Sequence, residues 1–326
     1  MIDKKAIFSI QTDAEFEDLS FQIFRHQFNN NSVYRSFCDL LYKNPSDISA
    51  IEDIPFLPIQ FFKSHKVLSS DKEIEKVFSS SGTTGNSVSR HYVSDLDIYE
   101  SSFRKGFESF YGNISDYTIL ALLPSYMERE GSSLIYMVND LIQKSKNPES
   151  GFYLNNLSEL KETLIELDAK GEKVLLIGVS FALLDLVESN KFNLKNTIIM
   201  ETGGMKGRRK ELVREELHSI LKKGFGIEKI HSEYGMTELL SQAYSNGDGI
   251  FKCPNWMRIL TRDTEDNLTI LKKGKTGGIN IIDLANINSC SFIATQDLGK
   301  VYENNSFEII GRFDNSDIRG CNLLLV

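Results

Sequence analysis

Three apolar runs in the middle of the chain predict buried strands. Turn residues bound each of them: YTILALLP (117–124), KVLLIGVS (173–180) and NTIIMETGG (196–204). Continuous apolar runs of this length are typical of parallel strands that are buried on both faces. Amphipathic stretches that predict helices alternate with these runs, at 95–110, 131–142, 156–169 and 208–223. We place the N-cap of the first helix at Ser94. The alternation predicts an α/β fold with a mostly parallel sheet and helices on both faces.

The two ends of the chain follow other patterns. Apolar residues recur at helical spacing in 16–24 and again in SVYRSFCDLLYKN (32–44), which predicts N-terminal helices. Pro55 and Pro58 interrupt the stretch that follows, so we predict an extended segment laid over the core. After residue 250 the pattern changes to strands and turns, which predicts hairpins in a β-rich C-terminal part.

Charge and cysteine content narrow the class of protein. The net charge is −8, which argues against nonspecific binding to nucleic acid or to an anionic membrane. No apolar run approaches the ~18 residues of a membrane span. The four cysteines have no C-x-x-C spacing, so neither a disulfide framework nor a zinc site is indicated. We expect a cytoplasmic protein without membrane insertion.

The stretch FSSSGTTGNSV (78–88) is unusually small and polar. Its glycines permit positive φ angles, and successive backbone N–H groups and hydroxyls can form a concave cradle for an anion. A flexible turn is the alternative interpretation. The stretch is not a Walker loop, because Gly82 and Gly85 are too close together and no lysine follows.

Four motifs in order resemble those of the adenylate-forming superfamily. SSSGTTGNS is similar to its phosphate-binding loop, and EYGMTE (233–238) to its aromatic-Gly-x-Thr-Glu signature. A glycine pair in ETGGM (201–205) precedes the second motif, and 295–320 is similar to the late aspartate and Gly-Arg segment. Within the superfamily the greatest likeness is to the acyl-protein synthetases of bacterial luminescence, with phenylacetate-CoA ligases next. IPFLPIQFFKSHKV, SSSGTTGNSVSRHYVS and IRGC carry this likeness.

The resemblance implies a domain organisation. Residues 1–73 are expected to form a helical and extended segment packed on the core, and 74–311 the adenylate-forming core. In most of the superfamily a small mobile domain with a catalytic lysine follows. Here we expect a short tail, 312–326, in its place, so that this lysine has no candidate. The lysine common in the phosphate loop is also missing, and Arg90 is a weak substitute.

The resemblance also implies an activity and a site. The expected reaction is ATP-dependent activation of a carboxylic acid, expected to be fatty, as an acyl-adenylate. The acyl group then passes to a thiol of the enzyme itself, a partner or a carrier protein. By resemblance, the leaving phosphates of ATP would contact Ser80, Ser81, Gly82, Thr83, Thr84 and Gly85, and the adenine a wall of Gly203, Gly204 and Met205. The remaining implied contacts are Tyr234 on adenine, Thr237 on the α-phosphate, Glu238 on Mg²⁺, Asp297 on the ribose and Arg312 on the ribose or phosphates.

Cys321 is the candidate acyl acceptor. A thiolate there would convert the adenylate to a thioester, and Arg319 could lower its pKa. A buried structural cysteine is the alternative interpretation, and it is the one we favour for Cys38, Cys253 and Cys290. His231 either lines the carboxylate pocket or is structural. An acyl-CoA ligase and a non-catalytic scaffold that binds a nucleotide or acyl group are the alternative functions.

Overall fold

A mixed sheet of twelve strands runs through the described part of this computed structural model, residues 2–80, 88–123, 131–203 and 212–313. The strands of the model are β1 (Leu57–Pro58), β2 (Lys76–Ser79), β3 (Arg90–Val93), β4 (Thr118–Leu122), β5 (Gly151–Phe152), β6 (Val174–Val179), β7 (Thr197–Thr202), β8 (His231–Tyr234), β9 (Ala243–Ser245), β10 (Ile250–Lys252), β11 (Met257–Arg262), β12 (Thr276–Asp283), β13 (Phe292–Val301) and β14 (Phe307–Arg312). The α-helices are α1 (Lys4–Phe8), α2 (Asp13–Asn30), α3 (Ser32–Leu40), α4 (Phe61–Ser64), α5 (Leu96–Tyr111), α6 (Ser133–Ser145), α7 (Leu157–Ala169), α8 (Ser180–Ser189) and α9 (Arg214–Phe225).

The sheet has a parallel half and an antiparallel half. Its order is β11-β12-β13-β14-β10-β9-β8-β7-β6-β4-β5, with β1 beside β13. The strands from β5 to β8 are parallel neighbours, as the apolar runs predicted, and β9 begins the antiparallel half. The predicted C-terminal hairpin is confirmed by the antiparallel pair of β13 and β14. Parallel strands end at a common edge, so the segments after β6, β7 and β8 lie near one another.

Two details of the helix prediction were wrong. The N-cap of α5 is Asp95, one residue after the predicted Ser94. Helix α8 was not predicted at all, because SFALLDLV continues the apolar run of β6 with only Ser180 between them. Seven residues of α8 are buried, and a helix that is apolar on most sides has a weak periodic signal. Helices α6 and α7 agree with the prediction to within a few residues, whereas α9 begins at Arg214 and its predicted start at residue 208 lies outside the described residues.

The N-terminal helices contact the core. The Gln27 side chain in α2 donates to the carbonyl oxygens of Asn286 (3.1 Å) and Ile287 (3.0 Å). Only Leu57–Pro58 of the stretch predicted to be extended forms a strand, β1, in which Leu57 is in register with Ile293 of β13, and the helix α4 follows it. The proposed domain limits at residues 73 and 311 stay a prediction.

Strands β2 and β3 form a separate hairpin beside the main sheet. They pair in register from Lys76 opposite Val93 to Ser79 opposite Arg90. Residues 80–89 connect these two strands in the sequence. Among the described residues, no helix is both long and apolar enough to cross a membrane.

Candidate active site

The β2–β3 hairpin closes at Ser80 and Ser89. The Ser80 amide donates to the Ser89 carbonyl (3.1 Å), and the Ser89 amide donates to the Ser80 hydroxyl oxygen (3.0 Å). The Ser79 amide donates to the Gly131 carbonyl (2.8 Å), which ties the hairpin to the turn before α6. Ser80 therefore lies at the base of the predicted phosphate loop. The other predicted loop residues lie outside the described part of the chain: Ser81, Gly82, Thr83, Thr84 and Gly85.

Glu238 is a buried carboxylate beside this hairpin base. Only 6% of the residue is exposed, and burial raises the pKa of its carboxyl group. The Ser89 side chain acts on this pKa in the opposite direction, as do the charges of Lys63 and Arg312. Glu238 thus has Ser89, the residue before β3, among the groups that influence its ionisation. Because burial disfavours the ionised carboxylate, this position favours a nearby cation.

Tyr234 and Asp297 are joined by a hydrogen bond from the tyrosine hydroxyl to Asp297 Oδ2 (2.7 Å). Arg312 pairs with Asp297 in the β13–β14 ladder, and its Nε lies 3.2 Å from Asp297 Oδ1. The Tyr234 ring packs edge-on against Phe251 and Phe307. Burial raises the pKa of Asp297, against the effects of Tyr234 and Arg312. The structure thus brings three predicted site residues together, while the contact of Tyr234 with adenine stays a prediction.

Gly203 follows β7 at the edge of the sheet where β8 ends with Tyr234. Its φ angle of +62° lies in the left-handed region that glycine adopts readily. The Ser180 hydroxyl donates to its carbonyl oxygen (2.8 Å) and so fixes the turn. The exposed Gly203 is therefore positioned at the predicted nucleotide edge. The predicted neighbours Gly204 and Met205 lie outside the described residues.

Gly235, in the second signature, leaves space for the carboxylate of Glu233. A Cβ atom at Gly235 would lie 2.4 Å from Glu233 Oε1, so the Glu233 carboxylate would have to move. The Thr202 hydroxyl, at the end of the neighbouring strand, donates to Glu233 Oε2. Glycine at this position of the motif therefore lets Glu233 keep its bond to Thr202, a packing reason that the sequence alone did not reveal.

Two further residues at the site were not predicted: His91 and Asn286. His91 Nδ1 lies 2.9 Å from the Thr237 carbonyl oxygen, and His91 Nε2 lies 2.9 Å from Asn286 Oδ1. Asn286 Nδ2 donates to the Glu238 carbonyl oxygen (2.7 Å). The position of His91 directly after the loop was a weak signal. Asn286 had none, since it belongs to an unremarkable turn far along the chain.

The surroundings of His231 and of the described cysteines are typical of residues with a structural role. His231 Nδ1 contacts the Tyr111 hydroxyl (3.2 Å), and burial lowers the pKa of His231 to about 4. Burial raises the pKa of Cys38 to about 12, and it also raises the pKa of Cys253 and Cys290. These three thiols are therefore poor nucleophiles at neutral pH. The described residues include no cluster of three or more potential metal ligands of the His, Cys, Asp and Glu types. Cys321 lies outside the described residues.

Comparison with known families gives a match over most of the chain. The model of the family described as "Acyl-protein synthetase, LuxE" matches residues 9–97 and 143–326. A long-chain-fatty-acid–luciferin-component ligase of Vibrio harveyi is 24% identical over 324 residues, covering 92% of this chain and 84% of the relative. A ligase of the same name from Photorhabdus luminescens is 41% identical over 63 residues, covering 19% of this chain and 53% of the relative.

Solved structures share the fold. A 2-hydroxyisobutyryl-CoA ligase in complex with 2-HIB-AMP and CoA superimposes with a TM-score of 0.68 at 12% identity, over 93% of this chain and 75% of that one. ATP-bound MatB from Rhodopseudomonas palustris superimposes with a TM-score of 0.54 at 16% identity, over 74% of this chain. The match covers 49% of MatB, so the chain spans about half the length of that protein.

Proposed function

This chain belongs to the LuxE acyl-protein synthetase family, and we propose that it activates a long-chain fatty acid with ATP and passes the acyl group to a protein thiol. In the first step a carboxylate oxygen attacks the α-phosphorus of ATP. The bond to pyrophosphate breaks, and an acyl-adenylate forms. In the second step a thiolate attacks the carbonyl carbon, and AMP leaves with the C–O bonding electrons. The name of the Vibrio harveyi relative supports the choice of a long-chain acid.

The contact between the second signature and the hairpin, in which His91 Nδ1 on β3 lies 2.9 Å from the Thr237 carbonyl oxygen, is the observation that carries this proposal. Two motifs far apart in the sequence adjoin in space, as a site that binds one triphosphate requires. Ser80 and Ser89 bond to each other at the two ends of the loop. Successive backbone N–H groups in a sequence of this kind can bind an anion. The loop itself is assigned to the leaving phosphates by its sequence.

Glu238 fits the role of a magnesium ligand. Its carboxylate is a hard oxygen donor of the kind Mg²⁺ prefers, and burial leaves its negative charge in need of a counter-charge. When bound there, Mg²⁺ would neutralise charge on the phosphate oxygens. Thr237 is assigned to hydrogen-bond the α-phosphate, and the nearby charges of Lys63 and Arg312 would add to the electrostatic stabilisation.

The pair of Tyr234 and Asp297 is assigned to the nucleoside. Asp297 presents a carboxylate that can accept hydrogen bonds from ribose hydroxyls, and Tyr234 and Arg312 fix its two oxygens. Gly203, with its exposed left-handed turn, allows a flat base to approach the end of β7. We propose that adenine lies between this turn, with Gly204 and Met205, and the Tyr234 ring.

We propose Cys321 as the thiol that first receives the acyl group. The cysteines of the described chain are poor candidates, since burial raises the pKa of each thiol. Cys321 lies nine residues after Arg312 in the sequence (321 − 312), which is ~30 Å of fully extended chain. The acyl group would then move from Cys321 to the thiol of a partner or carrier protein.

Acid-dependent exchange of pyrophosphate into ATP tests the proposed function. We expect exchange with saturated acids of long chain and little exchange with short acids. An enzyme that consumes ATP and acid only when coenzyme A is present would instead be an acyl-CoA ligase. Absence of exchange across acids of every length, together with MgATP binding, would indicate a non-catalytic scaffold.

A further inference from the structure

A chain of polar contacts ties the phosphate-loop hairpin to the second signature. It runs from the Thr237 carbonyl through the His91 ring and the Asn286 side chain to the Glu238 carbonyl, with contacts of 2.9, 2.9 and 2.7 Å. His91 is 1% exposed and Asn286 is 0% exposed, so water does not substitute for these partners. The chain of contacts ends on both sides at a backbone carbonyl oxygen, and the two oxygens belong to the adjacent residues Thr237 and Glu238.

Asp283 anchors the two segments that this chain of polar contacts joins. Its carboxylate accepts hydrogen bonds from the amides of Leu240 (2.8 Å), Ser241 (3.0 Å) and Ala285 (3.2 Å). The segment after Glu238 and the turn that carries Asn286 are therefore held together by one buried carboxylate. In addition to this anchor, the Thr237 and Glu238 carbonyl oxygens are contacted by His91 and Asn286.

When the imidazole is neutral, this chain of three polar contacts has only two N–H donors. Two carbonyl oxygens only accept, Asn286 has one donating and one accepting end, and a neutral ring donates from only one nitrogen. One of the three contacts therefore brings two acceptors together, whichever tautomer the ring adopts. The tautomer of the ring decides whether His91 donates to the Thr237 carbonyl oxygen or to Asn286 Oδ1, while Asn286 Nδ2 donates to the Glu238 carbonyl oxygen in either case.

We propose that His91 and Asn286 are positioning residues that hold Thr237 and Glu238 in place for the adenylation step. This inference rests on the proposed function of Thr237 and Glu238, since neither His91 nor Asn286 is assigned a contact with substrate. His91 lies on β3, so its contact with the Thr237 carbonyl oxygen also ties this strand to the segment that carries Glu238. Burial lowers the pKa of His91 to about 4, which keeps the ring neutral at working pH.

The kinetic test uses His91→Phe, Asn286→Ala and the double variant. His91→Phe keeps an aromatic ring beside Phe62, on which His91 packs edge-on at 5.8 Å. A displacement of ~1 Å in a catalytic group can cost ~10²-fold in rate. We expect each single variant to lower kcat of pyrophosphate exchange by about that factor, with the KM for ATP nearly unchanged. The double variant should lose no more than the worse single variant, because the two residues act as one chain.

Two further variants make the test specific. His91→Gln can return an amide near Nε2 and should recover part of the rate that His91→Phe loses. Asn255→Ala is the matched control, because it also removes a side-chain donor to a backbone carbonyl, that of Ile10, away from the site. Full exchange activity in His91→Phe, or losses that multiply in the double variant, would overturn the proposal.

A spectroscopic test needs no substrate and so separates this inference from the proposed function. The five histidines give few ring signals in a long-range ¹H–¹⁵N spectrum, and His91→Phe identifies that of His91. At pH 7.5 we expect a neutral ring whose nitrogen shifts change in Asn286→Ala and stay the same in Asn255→Ala. A ring signal that Asn286→Ala leaves unchanged would overturn the chain of contacts, even if exchange fails with every acid.

Discussion

The hydroxyl of Tyr234 donates to Asp297 across 2.7 Å and so links β8, in the parallel half of the sheet, to β13, in the antiparallel half. The two residues come from different motifs, and the bond fixes their separation. Burial raises the pKa of both groups, so their interaction takes place in surroundings largely shielded from water. A nucleoside bound at this point would contact both halves of the sheet.

MgATP should therefore stabilise the folded protein. A ligand at 100 times its Kd adds about 2.7 kcal/mol, which raises the melting temperature by several degrees. Asp297→Ala should remove most of this shift, because it removes the acceptor assigned to the ribose. Differential scanning fluorimetry with and without MgATP measures the effect. An equal shift in Asp297→Ala and wild type would remove Asp297 from the nucleotide site.

Glu238→Gln should abolish most adenylate formation without unfolding the protein. Loss of one transition-state electrostatic contact commonly costs ~10² to 10³ in rate. The folded state should tolerate the change, because burial already disfavours the ionised carboxylate. Pyrophosphate exchange and circular dichroism together measure both properties. Glu75→Gln is the control, since Glu75 accepts a bond from the Leu96 amide at the start of α5. Near-normal exchange in Glu238→Gln would show that another residue holds the metal.

Stability should fall in mild acid, and His231 should account for part of the loss. Burial lowers the pKa of His231 from 6.5 to about 4, so the unfolded chain binds a proton that the folded chain resists. The contribution of the neutral His231 ring to the free energy of unfolding is fully present above pH 6.5 and is lost as the pH falls towards 4. At ~1.4 kcal/mol per pKa unit, His231→Gln should reduce the acid loss by at most about 3 kcal/mol.

Urea unfolding at pH 7.5 and pH 4.5 measures this difference. The exposed His65→Gln is the control, and it should lose as much stability in acid as the wild type. An acid loss in His231→Gln equal to that of the wild type would show that the buried ring does not resist protonation. Burial also lowers the pKa of His91, so His231→Gln should reduce the loss of stability in acid without removing it.

A fatty acid and ATP should leave an acyl label on Cys321. The label should be released by neutral hydroxylamine, as a thioester is, and Cys321→Ser should abolish it. Pyrophosphate exchange should survive in this variant, because activation precedes transfer. Cys253→Ser should keep the label, since burial raises the pKa of Cys253 and makes it a poor acceptor. Persistent label in Cys321→Ser would assign the acceptor to another thiol.

The sequence predicted the parts of the fold that have strong local signals. The strands at 117–124, 173–180 and 196–204 stood out because parallel strands buried on both faces read as continuous apolar runs. Helix α8 did not, because its apolar residues continue the run of β6 without a change of period. The antiparallel half was predicted only as hairpins, since the sequence does not tell how hairpins join a larger sheet.

The candidate site could likewise be predicted from the sequence only in part. The motif residues could be named because their order resembles that of a known superfamily, and Tyr234, Asp297 and Arg312 do meet in space. His91 and Asn286 could not be paired, since their contact joins a strand residue to a turn residue far along the chain and leaves no spacing pattern. Local sequence patterns do not show which single polar side chains meet in the folded protein.

Oxygen transfer from the acid to AMP tests the central claim most directly. The enzyme is given a long-chain acid with ¹⁸O in both carboxylate oxygens, together with ATP, and the released AMP is analysed by mass spectrometry. If an acyl-adenylate forms, the attacking carboxylate oxygen stays on the α-phosphorus when the thiol displaces AMP, so the AMP should carry one ¹⁸O. The appearance of ¹⁸O in inorganic phosphate with ADP as the nucleotide product, or of AMP without ¹⁸O, would contradict this account.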